Sequence, residues 1–95
     1  MIKIVARRRI KAGCEDAYLK LAREMAEASN AEDGCLGYSI NRCCEDELLY
    51  TVIEYWKDQA AIDEHNKSEH FQRIVPQYEA LTEAKYPVEH YIEVV

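Results

Sequence analysis

Two histidines five residues apart, His65 and His70, are the side chains here best suited to move a proton near neutral pH. On one straight helix, residues five apart point about 140° away from each other, unlike the one-face i,i+4 pair of helical zinc ligands. A helix break at Ser68 would let them converge, but no metal site is expected. Two charged residues interrupt otherwise apolar strand faces, Arg8 and Glu54. Arg8 can meet an anionic or hydroxylated substrate, or pair with a neighbouring acid such as Glu89. Glu54 reads either as a structural acceptor at a sheet end or as a proton acceptor. Trp56, two residues on, is either core wall or a plane on which a flat ligand stacks.

Other chemistries lack their signatures. Gly13, Gly34 and Gly37 cannot form G-x-G-x-x-G or a phosphate loop, and no Ser sits in a nucleophile elbow. Cys14, Cys35, Cys43 and Cys44 have neither C-x-x-C nor zinc-ribbon spacing. Cys35 and Cys43 fall near opposite ends of one strand, roughly 26 Å apart. Free thiols are expected, with the vicinal Cys43–Cys44 pair the candidate for redox sensing.

The elements that must hold these residues follow from periodicity. Ile2, Ile4, Ala6 and Ile10 alternate with Lys3, Arg7, Arg9 and Lys11, a first strand. After Gly13 the apolar spacing changes to threes and fours through Cys14, Ala17, Tyr18, Leu21, Ala22, Met25 and Ala28, the stripe of an amphipathic helix. Asn30 to Gly34 end it. Leu36, Tyr38 and Ile40 alternate as a second strand, and Glu47 to Trp56 form a third that is apolar on both faces. Asp58 is placed to cap a short helix through Asn66, and Ser68 to cap another carrying Phe71, Ile74, Val75, Tyr78 and Leu81. A kink or restart is expected at Pro76. Tyr86 to Val95 read as one closing strand.

This order predicts a ferredoxin-like βαββαβ fold of the α+β class, a four-stranded antiparallel sheet with its helices on one face, as a single domain over residues 1–95. At 95 residues with 48% hydrophobic and 32% charged side chains, a self-sufficient core is expected. The doubly apolar third strand predicts that the other sheet face is covered too, by a homodimer packed sheet to sheet. A net charge of −6 argues against nucleic acid. Without a long apolar run or a secretory leader pattern, no membrane association and a cytoplasmic location are expected.

The stretch from Glu54 to Leu81, with Glu54-x-Trp56 ending a strand, a short helix reaching His65, and Ser68-x-His70-Phe71 opening the next helix, resembles the antibiotic biosynthesis monooxygenase family of dimeric α/β barrels. Its small quinol-monooxygenase-like members are the most similar. Ile10-Lys11-Ala12-Gly13 and Glu32-Asp33-Gly34-Cys35-Leu36-Gly37-Tyr38 carry the resemblance through the rest of the chain. It implies a cleft between sheet and helices where a small quinol or polyhydroxylated aromatic reacts with O₂, with no cofactor. In that picture His65 or His70 removes a phenolic proton, Trp56, Tyr50 and Phe71 hold the ring, and Arg8 or Glu54 fixes a polar substituent.

The chain departs from some branches of the family. Val52 and Ile62 stand where actinorhodin-type members carry an Asn and a Tyr, and Ala6 where the haem-degrading branch carries an Asn. The His65 to Phe71 run is also similar to the sugar-phosphate-isomerising branch. Two alternatives therefore stay open: a cofactor-free isomerase of a small phosphorylated ketone, and a non-catalytic dimeric ligand-binding or stress-response module.

Overall fold

A computed structural model describes residues 1–95. The elements are β1 (Ile2–Ile10), α1 (Glu15–Asn30), β2 (Cys35–Arg42), β3 (Leu49–Trp56), α2 (Gln59–Lys67), α3 (Glu69–Tyr78), a 3₁₀ turn over Glu79–Leu81, β4 (Thr82–Lys85) and β5 (Glu89–Ile92). This is the ferredoxin-like α+β fold, with one antiparallel sheet in the order β2-β3-β1-β4 and β5 also on β1. In the β1–β3 register Arg8 lies opposite Tyr50 and Ile4 opposite Glu54.

The sheet has five strands where four were expected. In place of one strand over Tyr86–Val95, the chain pairs with β1 earlier, from Thr82, breaks around Pro87 and pairs again from Glu89. Proline has no N–H to donate to the ladder, and the pairing slips by one residue across it. The expected break at Pro76 is also milder than its chemistry suggested: α3 continues to Tyr78 before tightening into the 3₁₀ turn.

All helices lie on one face of the sheet. There Ile10, Tyr18, Ala22, Met25, Tyr50, Ile74 and Tyr78 form the larger core, with a smaller one of Ile4, Trp56 and Ile62 towards the other end. Along β3 the even positions Tyr50 to Trp56 are buried, while Leu49, Thr51, Ile53 and Tyr55 on the opposite face are only half-buried. No helix of the chain covers that second face. Gly34 is required where β2 begins: a Cβ there would lie 2.3 Å from the Cβ of Ala61, so its absence lets α2 approach the sheet. No helix is long and apolar enough to cross a membrane.

Candidate active site

His65 reaches the sheet because of how α2 is bounded. Asp58 caps the helix, accepting a hydrogen bond from the Ala61 N–H at 2.9 Å, and one further turn beyond Ile62 brings His65 onto the same inward stripe. At Ser68 the backbone turns extended, φ −65° and ψ 154°, and α3 begins. Its Oγ donates to the His65 carbonyl at 2.7 Å and accepts from the Phe71 N–H at 3.2 Å. This one residue ends the first helix, starts the second and brings the two imidazoles together.

They meet on Glu32, from the turn between α1 and β2. His65 Nδ1 lies 2.7 Å and His70 Nε2 2.8 Å from the same carboxylate oxygen, Oε2. With Nδ1–H donating to Glu32, His65 turns Nε2 towards Glu54, whose Oε1 is 3.9 Å away. That gap is too long for a direct hydrogen bond and is the span a hydroxyl or water bridges. Glu54 in turn accepts from the Trp56 indole N–H at 2.9 Å. Aromatic rings fix the imidazole, Trp56 at 4.4 Å between centroids and Phe71 edge-on at 5.2 Å.

Burial separates the two titrating groups. It pushes the Glu54 carboxyl up to about 7, aided by the negative charge of Glu32 and opposed by the Trp56 hydrogen bond. Burial also lowers the His65 imidazole, against the raising effect of Glu32. The result at neutral pH is an uncharged base beside a carboxyl poised to exchange its proton. Both line a cleft of about 330 Å³ between sheet and helices, with Ile4, Val52, Phe71, Val75, Tyr78 and Arg8 among its walls.

Of the residues singled out from sequence, His65, Glu54, Phe71 and Arg8 share this cleft. Three others do not line it. Tyr50, 1% exposed, packs within the larger core against Tyr18, and Trp56, 0% exposed, sits behind Glu54 and His65. Neither ring presents a surface to a ligand. His70 stands behind His65 on the far side of Glu32, within 3.2 Å of Ser68 Oγ. Arg8 pairs with no acid: Glu89 lies opposite Val5 instead, and the Arg8 guanidinium donates to Thr82 Oγ1 at 3.0 Å.

Glu32 is the residue of this cluster that sequence reasoning missed, although it opens the quoted Glu32-to-Tyr38 run. Its position in a turn gave no periodicity to read, and its partners lie more than thirty residues away. Glu32, His65 and His70 are also where potential metal ligands gather, their atoms within 4.8 Å of one another. The spacings of 2.7 and 2.8 Å are those of N–H donors on one carboxylate oxygen.

Fold and site together define a ferredoxin-like α+β domain with an acid–base pair in a largely apolar cleft. The model of the family described as antibiotic biosynthesis monooxygenase matches residues 1–77, and the chain belongs to that family. It is 31% identical over 88 residues, 93% of each chain, to the protein of Bacillus subtilis (strain 168) named "Putative monooxygenase YcnE". Among solved structures it is similar to an antibiotic biosynthesis monooxygenase with a TM-score of 0.94, 35% identity and full coverage of both chains. It is also similar to PA3566 from Pseudomonas aeruginosa, with a TM-score of 0.90 and 29% identity over 99% of this chain and 94% of that one.

Proposed function

We propose that this protein is a monooxygenase that oxidises a small quinol or polyhydroxylated aromatic with O₂, without flavin or metal. The observation that carries the reading is the Glu54–His65 pair, 3.9 Å apart at the wall of the cleft, with Glu32 behind the imidazole. A quinol hydroxyl placed between them hydrogen-bonds to both and gives its proton to His65 Nε2, while Glu32 stabilises the imidazolium that forms. The resulting quinolate is electron-rich enough to reduce O₂ itself. One oxygen atom enters the ring to give a hydroxyquinone and the other leaves as water, with all electrons supplied by the substrate. The protein's part is to position the ring, accept the proton and keep water out.

In this reading Phe71 and Val52 hold the ring, whereas Trp56 and His70 act one layer back, on Glu54 and Glu32. A second copy of the chain covers the open sheet face and completes a dimeric barrel. The deciding experiment measures O₂ consumption with menadiol against its autoxidation rate, and traces isotopically labelled O₂ into the product. Uptake no faster than in buffer, or product without label, rejects oxygenation. One observation favours a second reading, isomerisation of a small phosphorylated ketone: Arg8 places a cation without a carboxylate partner in the same cleft.

A further inference from the structure

Arg8 is the one charged residue on the inner face of β1, and nothing in the fold neutralises it. Its neighbour Arg9 is held by Asp46 and Glu83 at 2.9 and 2.8 Å, but no carboxylate oxygen reaches Arg8. Its contacts are the Thr82 hydroxyl at 3.0 Å and the Tyr78 ring, 4.7 Å from guanidinium carbon to centroid. Arg8 is half-buried in the cleft wall, so its unpaired guanidinium is available to an anion in the cleft through a charge-assisted contact.

The surroundings of Arg8 point the same way. Tyr18, Tyr50 and Tyr78 pack ring to ring, Tyr18 lying 5.0 Å from Tyr50 and 5.1 Å from Tyr78 between centroids. All three hydroxyls are buried without a hydrogen-bond partner, and Tyr78 lines the cleft. Lys85, which pairs with Arg8 across the sheet, also lines the cleft. The only carboxylate among the lining residues is Glu54, four positions along the ladder and about 13 Å away at ~3.3 Å per residue. In a chain of net charge −6, this is a local concentration of positive charge.

We infer that Arg8 is an anion-binding subsite. The ligand of this cleft carries a carboxylate or phosphate that sits on the Arg8 guanidinium, and its rings extend towards Glu54 and His65. The orientation of its reactive hydroxyl at that far end rests on the monooxygenase reading above; the subsite itself does not. The planar guanidinium suits a two-oxygen contact with either anion, and Thr82 fixes its plane.

The test is calorimetric titration of the full chain, under argon, with three naphthalenes: menadiol (neutral), 1,4-dihydroxy-2-naphthoate and 1-naphthyl phosphate. The native protein is expected to bind at least one anionic compound about tenfold or more tightly than menadiol, as a charge-assisted contact implies. Which one is preferred separates carboxylate from phosphate recognition. Arg8→Gln should abolish that preference, weakening the anionic compounds about tenfold more than menadiol. Arg8→Lys should retain part of it, and its thermal midpoint serves as a check on folding. Equal affinity for neutral and anionic rings, a preference surviving in Arg8→Gln, or no binding of either anion overturns the subsite. Oxygen uptake is read separately. Arg8-dependent binding without uptake from any quinol keeps the subsite and removes the monooxygenase reading, and menadiol oxidation with no anion preference does the reverse.

Discussion

A carboxyl beside an imidazole works as an acid–base pair only if their environments push their proton affinities apart, and here burial does that. Because the folded state raises Glu54 from 4.5 to about 7, the unfolded chain gives up this proton first as pH rises. The contribution of the group is therefore fully present below about pH 4.5 and is lost as pH climbs through 7. Glu54→Gln keeps an acceptor for the Trp56 indole and removes the titration. Relative to the native protein it should gain stability between pH 5 and 8 by up to about 3 kcal/mol, read from urea midpoints across that range. No such pH-dependent gain would mean that the carboxyl is not held in its neutral form. For activity, His65→Ala should lower quinol-dependent O₂ uptake by about 100-fold or more, the usual scale for a lost base. His70→Ala should cost about tenfold or less, since it touches Glu32 and not the cleft. Equal losses from the two variants would argue that both imidazoles take part in proton removal.

At the scale of elements, two joints set the position of the base. Ser68 is a cap for α3 and a stop for α2. Ser68→Ala should cost about 1 kcal/mol of stability, as cap removal usually does, visible as a lowered denaturant midpoint. It should also lower O₂ uptake, because the approach of His65 and His70 to Glu32 depends on the break. Gly34 controls how closely α2 lies on β2. In Gly34→Ala the new methyl would meet the Ala61 Cβ at 2.3 Å, so α2 must move outward and His65 with it. An overpacking cost of about 1–3 kcal/mol is expected, with activity falling more than stability alone accounts for. Unchanged activity in a measurably destabilised Gly34→Ala would show that the Glu54–His65 spacing tolerates this shift.

For the molecule as a whole, the feature to account for is the sheet face away from the helices. Val5, Ile53 and Tyr55 are half-buried there, near exposed Met1 and Ile92. A patch of this kind on a monomer invites a partner, and under the proposed function that partner is a second copy of the chain. Sedimentation at micromolar concentration should give a mass about twice the 11.1 kDa of one chain. Ile53→Lys should shift it towards that of one chain. A native protein sedimenting as a stable monomer would leave the barrel without its second half.

Periodicity alone determined most of the scaffold. The alternation in β1, β2 and β3, the stripe of α1 and the caps at Asp58 and Ser68 are local signals, set by side-chain direction and by backbone groups that need partners close in sequence. They put Arg8 and Glu54 on otherwise apolar strand faces before any packing was known. What only the tertiary structure decided is who meets whom once those faces close. Glu32 joins His65 and His70 from a turn more than thirty residues away, while Tyr50 and Trp56 share the inward face with Glu54 yet are covered completely. Arg8 is left without an acid, and a proline splits the closing strand. A strand pattern says which way a side chain points; whether a helix then covers it or leaves it lining a cleft depends on distant residues that packing brings together.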